Sequence, residues 1–279
     1  MTKVSIITIN RNNKDGLRKT MQSVIDQDFD DFEYVVVDGA SDDGSVEVIQ
    51  EFETSFKQKR VPFQYESKLD RGIFHAMNKG IMKASGEYLL FLNSGDYLVA
   101  PAVLSDFSRL GITEDFASGS IIVFINDRKQ VRKSPSYVNF YLLFNQSIPH
   151  QATFIKRSVF ERFGLYNENN RVKSDWENSM RSIVVGGATY KHIDLLVSYF
   201  DVTGVSSDVS MKAIQMEEQR KVYLSLMPAY VLETLEYYKK EEQKWKYKSR
   251  LYDEYLTLKN GKMGFLITFM LWIKKWKRK

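Results

Sequence analysis

Residues Leu69–Asp96, LDRGIFHAMNKGIMKASGEYLLFLNSGD, join an amphipathic helix to a short apolar strand and close on a polar tip that carries one carboxylate. Ile73, Ala76, Met77, Ile81 and Ala84 recur at helical intervals, so one apolar stripe can lie on a sheet. Arg71, His75, Asn78 and Met82 form the opposite stripe, read either as a solvated face or as a line of ligand-binding groups. Gly86 is expected to end the helix as a left-handed cap. Glu87–Leu92 has the length and unbroken apolarity of a strand covered on both faces, as parallel sheets require. Asn93-Ser94-Gly95-Asp96 follows at the carboxyl end of that strand, where open α/β sheets collect ligands. The same four residue types also build turns. On the first reading Asp96 is the centre of a site.

Upstream, Val4–Ile9, Glu33–Val37 and Phe63–Glu66 read as strands alternating with helices over about Lys14–Asp26 and Ser45–Phe56. The order β-α-β-α-β-α-β predicts a parallel sheet with helices on both faces. No glycine-rich phosphate loop follows the first strand, which argues against dinucleotide and P-loop chemistry. A pyrophosphate bound here would need a divalent cation on Asp96, or a basic residue such as Arg71. Asp38, at the end of the second strand, suits either an acceptor for a nucleotide's base or ribose or a helix-entry turn.

Downstream, Pro101–Leu110 reads as a helix, and Ala117–Phe124 with Val131–Lys133 as a hairpin turning at Asn126-Asp127. The aromatic stretch Tyr137–Phe144 can cover a cleft. His150 follows Pro149 and is read as a phosphate or metal contact or as a structural histidine beside a proline turn. Ser158–Phe163 is a short helix ended by Gly164. A helix from Lys173 to about Val185 opens with Ser174 as N-cap and Glu177 completing a capping box. Asp175 in its first turn is either part of that cap or a general base held ionised at the helix's positive end. Ala188–His192 and Leu195–Phe200 are strands, and Asp201–Ser207 is a polar loop.

The 279 residues contain no cysteine, which excludes disulfides, thiolate metal sites and cysteine nucleophiles. Three histidines leave little material for a zinc centre. The apolar run after Lys3 is too short for a signal peptide, so the catalytic part is expected in the cytoplasm. Residues 238–279 hold thirteen Lys/Arg and four Asp/Glu, a net +9 in a chain of +5, leaving −4 for the first 237 residues. That split argues against a nucleic-acid-binding core and for attachment of the tail to something anionic. Val209–Leu258 reads as helices interrupted at Pro228. Met263–Ile273 is apolar but only eleven residues long, against the roughly 20 that span a bilayer. It suits an interfacial segment with Trp272 and Trp276 at headgroup depth, or a helix docked on protein at a dimer contact. The expected division is a catalytic domain over 1–207 and a helical, basic, aromatic extension over 208–279, peripheral on the inner face of the membrane.

The ordered set VSIITINRN, VVVDGASDDGS, DRGIFHAMNKGIMKASGEYLLFLNSGD, PHQATFIKRSVFERFG and KSDWE, spread over residues 3–205, resembles the family 2 glycosyltransferases, and more narrowly the bacterial members that build surface polysaccharides. The resemblance implies a GT-A fold, Rossmann-like α/β with a mostly parallel central sheet. It also implies a nucleotide-sugar donor carrying UDP, a divalent cation (Mn or Mg), and single-step transfer with inversion to a saccharide acceptor, which a tail on the membrane surface would suit if it is lipid-linked. Carried over, Thr8, Asn10 and Arg11 lie against the nucleotide and Asp38 accepts from the base. Asp70 and Arg71 sit near the ribose and diphosphate, and Asn78, Asn93, His150 and Gln151 complete the donor site. Asp175 is the catalytic base, with Trp176 and Glu177 shaping the acceptor site. The family's metal signature is an Asp-x-Asp-type cluster, whereas here only Asp96 brings a carboxylate. The thinned tip motivates an alternative, a membrane-tethered protein that binds a nucleotide-sugar without turning it over. A nucleotidyltransferase ranks lower, for want of the glycine-rich, basic loop.

Overall fold

The computed structural model describes residues 3–125, 128–202, 204 and 209–260. β1 (Val4–Asn10) lies between β2 (Phe32–Asp38) and β4 (Tyr88–Phe91), parallel to both, and β3 (Phe63–Ser67) adds parallel to β2. The crossovers are α1 (Lys14–Ile25), α2 (Ser45–Lys59) and α3 (Ile73–Lys83). Every residue of β1, β2 and β4 is buried, so their sequences lack the alternation of a half-exposed strand, and the polar residues among them, such as Ser5, Thr8, Glu33 and Asp38, are hydrogen-bonded. The two-residue period still operates: Val4 and Ile6 join the core that holds Leu17 and Met21 of α1 and Val48 of α2, while Ile7 meets Gly80 of α3.

Beyond β4 the sheet continues through β8 (Thr153–Lys156), β6 (Phe116–Ile125), β9 (Tyr190–Phe200) and β5 (Tyr97–Leu98), giving the order β3-β2-β1-β4-β8-β6-β9-β5, with β7 (Arg128–Arg132) paired to β6. The β4–β8, β6–β8, β6–β7 and β5–β9 pairings are antiparallel. The two strands expected over Ala188–His192 and Leu195–Phe200 are one, β9, accommodated by register shifts around Ser120 of β6. A side chain at Gly119 would meet the Leu195 carbonyl oxygen, so the bulge closes only over glycine.

The remaining helices are α4 (Val103–Arg109), α5 (Phe140–Asn145), α6 (Arg157–Phe163), α7 (Ser174–Ser179), α8 (Lys212–Leu226) and α9 (Ala229–Asn260); α7 passes into a π-helical turn over Met180–Val185. The chain divides into two compact units, Met1–Val222 and Tyr223–Lys279. The second contains α9, which exposes Tyr237, Tyr238, Trp245 and Tyr247 among lysines. The turn expected at 126–127, residues 203 and 205–207 of the polar loop and the apolar run 263–273 with its basic end lie outside the described residues. Among the described residues no helix is long and apolar enough to cross a membrane.

Two expectations for α3 are corrected. Gly86 does not cap it: α3 ends at Lys83, and Ala84 already has extended backbone (φ −73, ψ 138). Gly86 is instead where the chain passes against β1. Its N–H donates to Ser5 Oγ and to buried Glu33, and a Cβ there would lie 2.7 Å from the Ser5 nitrogen and 2.9 Å from the Val4 carbonyl carbon. Backbone in the middle of a sheet cannot yield, so Gly86→Ala is expected to cost roughly 1–3 kcal/mol, read as a lowered Tm in a thermal melt. Asn78, placed on the solvated stripe, is 3% exposed. Its side chain is bonded both to and from the Tyr166 backbone and to Glu168, tying α3 to the loop after α6.

Candidate active site

The carboxyl ends of β4 and β9 open into a cavity of about 310 Å³ lined by Asn93, Asp96, His150, Gln151, Asp175 and Asp201. α1 holds the tip after β4 in place: Thr20 Oγ1 accepts from the Gly95 N–H at 3.0 Å and donates to the Asp96 carbonyl at 2.6 Å, while Asn13 Nδ2 donates to the Ser94 carbonyl. Asp96 is 4% exposed and accepts the Asp201 main-chain N–H at 2.8 Å. Burial pushes its carboxyl up to about 7, and the charge of Asp201 adds to this, against the opposing effects of His150 and the Asp201 N–H. The Asn93 side-chain amide lines the same cavity, with one end against His150.

His150, in a one-turn 3-10 segment before β8, bridges the tip to α7. Its Nδ1 lies 3.2 Å from Asp175 Oδ2 and its Nε2 faces Asn93 Nδ2 at 3.4 Å. Burial disfavours both charges, but the pair overcomes it. Hydrogen bonding and charge from Asp175, with the charge of Asp96, hold His150 above its ordinary 6.5; His150, the Trp176 N–H and Lys173 hold Asp175 below 3.8. The stability that Asp175 gains is present above pH 3.8 and lost as pH falls through its depressed value. That from His150 is complete below pH 6.5 and lost as pH rises through its elevated one. His150→Gln is therefore expected to lower Tm most between about pH 4 and 6.5, with the gap to the wild-type protein narrowing in alkali; a gap that widens with pH would contradict the pairing.

The start of α7 is built differently from the expected capping box. Ser174 lies inside the helix, and Lys173, at the cap position, makes no side-chain capping bond. Ser174 Oγ accepts from the Asn167 N–H, and Glu177 accepts from the side chains of Asn167 and Asn170. The entering main chain is held by Glu218 of α8, a buried carboxylate that receives the N–H groups of Arg171, Val172 and Lys173. Two residues further on is Asp175. A second cavity, of about 650 Å³, shares His150, Gln151 and Asp175 with the first and adds Arg132, Lys133 and Lys173.

Asn93, Asp96, His150, Gln151 and Asp175 are thus brought together as expected, and other candidates are not. Thr8 is fully buried, donating to the Leu92 carbonyl and accepting from Tyr34, and so braces the sheet. Asp38 is spent on Asn10, the main chain and hydroxyl of Ser41, and Ser67, which binds the loops after β1, β2 and β3 together. Asn10 is its buried partner. Asp70 pairs with Lys79 and His75. Arg11 is exposed beside Gly39, and Arg71 is exposed and paired with Glu168. Trp176, expected to meet an acceptor, is 1% exposed with Nε1 donating to the Leu143 carbonyl, and Glu177 faces the 167–170 loop and Arg181. Sequence reasoning missed Thr20, Glu218 and Asp201. Only Asp201 carried a signal, since it ends a strand as Asp96 does.

The model of glycosyl transferase family 2 matches residues 5–168. An uncharacterized glycosyltransferase of Mycobacterium tuberculosis is 32% identical over 217 residues, which is 76% of this chain and 79% of its own length. Among solved structures, S. aureus TarS in complex with UDP-GlcNAc matches with a TM-score of 0.59 at 19% identity, over 71% of this chain and 58% of that one. The mannosyltransferase PcManGT of Pyrobaculum calidifontis, in complex with GDP-Man and Mn²⁺, matches at 0.55 and 17%, over 72% and 57%. The chain spans less than two thirds of either structure's length, and the likeness is one of fold, the GT-A arrangement.

Proposed function

The chain belongs to glycosyl transferase family 2 and is a glycosyltransferase, and from that premise we propose that it moves a sugar, with inversion, from a UDP-sugar to a hydroxyl of a saccharide acceptor. The observation that carries this reading is the position of Asp175, a carboxylate kept ionised by His150 where the two cavities meet. A donor seated against Asn93 and Asp96 and an acceptor entering past Lys173 would come together at that group. A sugar hydroxyl is a weak nucleophile. Asp175 takes its proton as the oxygen bonds to the anomeric carbon, and the bond from that carbon to the diphosphate breaks on the opposite face. His150 keeps Asp175 oriented, and the Asn93 side-chain amide lining the cavity is placed to bond a donor hydroxyl.

Family members commonly use a divalent cation, and a structural neighbour holds Mn²⁺. The donor atoms at the tip are oxygens, the type that Mg²⁺ and Mn²⁺ prefer. Among the described residues no group of three or more His, Cys, Asp or Glu gathers to hold a metal, so a cation on Asp96 would share its coordination with the donor's phosphates. When bound, it would neutralise charge on the departing diphosphate.

The cations Arg132, Lys133 and Lys173 around the second cavity, and the net +9 of residues 238–279, support an acceptor that carries phosphate or diphosphate on a lipid at an anionic membrane. The test is nucleoside diphosphate release from a panel of UDP- and GDP-sugars, with and without a lipid-linked saccharide. Donor-specific release that rises with acceptor is expected. Binding without turnover across donors and acceptors would overturn the reading in favour of a tethered nucleotide-sugar-binding protein.

A further inference from the structure

β7 is an edge strand: β6 pairs with one side of it, and among the described residues no strand pairs with the other. All five of its residues are exposed, and with Lys133, also exposed, they read RKQVRK, four cations in six positions. Residues 128–160 contain no Asp or Glu, although the first 237 residues together carry a net −4. Among the described residues none of the four cations pairs with a carboxylate. The register with β6 places Arg128 and Arg132 on one face and Lys129 on the other, across from Phe124. Phe124 and Val131 are 47% and 53% exposed, and Tyr137 and Tyr141, further along the chain, are exposed as well. The same edge forms a rim of the second cavity, which Arg132, Lys133 and Pro135 line together with Asp175. Charges on an edge strand also keep it from pairing with another sheet. Either sign serves that purpose, so it does not account for four cations without a carboxylate, nor for the apolar side chains exposed among them.

We propose that the β6–β7 edge is the face by which the unit Met1–Val222 lies on an anionic phospholipid surface, with the rim of the second cavity turned toward the bilayer. Arginine and lysine stems are long enough for cations on both faces of the strand to reach a plane laid against its edge. Their charges meet lipid phosphates, while Val131, Phe124 and the two tyrosines suit headgroup depth, where aromatic rings collect. This contact is separate from that expected of the basic residues 238–279, and two contacts on one surface reinforce each other. An acceptor whose phosphate sits at the bilayer surface would then reach Asp175 past Arg132 and Lys133 without leaving that surface. The inference takes from the proposed function only the lipid-carried acceptor, and the contact itself is measured without turnover.

The experiment is sedimentation of the full chain with vesicles of phosphatidylcholine, alone or mixed with phosphatidylglycerol, at low and high salt. The variants are Arg128→Glu with Gln130→Glu, Arg128→Ala alone, and a control that makes the same charge change at the other end of the sheet, Lys57→Glu with Gln58→Glu on α2, which packs on β3. None of these residues lines either cavity of the site, and thermal melts accompany each variant. The wild-type protein is expected to bind only the vesicles that contain phosphatidylglycerol, and less tightly as salt rises. Each charge at such a surface changes partition by about fivefold, so Arg128→Ala should lose about fivefold and the Arg128→Glu/Gln130→Glu pair at least tenfold, with the α2 control within about threefold of wild type. Wild-type affinity in folded Arg128→Ala and Arg128→Glu/Gln130→Glu would overturn the inference. An equal loss in the α2 control would overturn it too, since net charge alone would then explain binding, as would a wild-type protein that ignores anionic vesicles. None of these results touches the proposed function, which fails separately if no donor sugar is transferred.

Discussion

Asp175→Asn is expected to lower kcat by about 10²–10⁴-fold while leaving affinity for the nucleoside diphosphate within a factor of two or three. The asparagine is nearly isosteric and its Oδ1 can still accept from the Trp176 N–H, so the helix start is preserved. What is lost is the charge that removes the acceptor's proton. Donor affinity should persist because Asn93 and the Asp96 tip are held from α1, by Thr20 and Asn13. Single-turnover kinetics and calorimetry with UDP separate the two effects. An unchanged kcat would remove Asp175 from the mechanism.

Glu218→Ala should be the most damaging change away from the reacting groups. Its buried carboxylate accepts three consecutive main-chain N–H groups, from Arg171, Val172 and Lys173, just before the turn that carries Asp175. Each buried donor left unsatisfied costs about 1–3 kcal/mol, so a loss of about 3 kcal/mol or more is expected. Because the three groups hold the entry to α7, kcat should fall more than donor affinity does. Glu218→Gln keeps one carbonyl oxygen and should recover part of both losses. A Glu218→Ala protein with wild-type Tm and kcat would show that the 171–173 segment holds its course without that anchor.

β2 and β4 were legible because each is buried on both faces and carries an unbroken apolar run, YVVV at Tyr34–Val37 and YLLF at Tyr88–Phe91. β8 was not, since four residues beside a proline turn carry no period. Strand ends located Asp96, and the resemblance located Asp175, but spacing along the chain says nothing of which groups pair. Thus Asp38 and Thr8, in the same kind of position as Asp96, turn out to bond to the protein itself. The His150–Asp175 pair, the grip of Glu218 on the 171–173 segment and the approach of Asp201 to Gly95 join residues 25, 45 to 47 and 106 positions apart. Such contacts are made by the fold. Trp176 shows the same limit in reverse: its place beside Asp175 suggested the acceptor site, but helical geometry turns neighbouring side chains in different directions, and it is buried under α5.

The anomeric configuration of the product, read by proton NMR after turnover of the preferred UDP-sugar, tests the central claim most directly. Attack assisted by Asp175 opposite the leaving diphosphate predicts a product of inverted configuration, formed with stoichiometric nucleoside diphosphate and absent with Asp175→Asn. A product that retains the donor's configuration would contradict it.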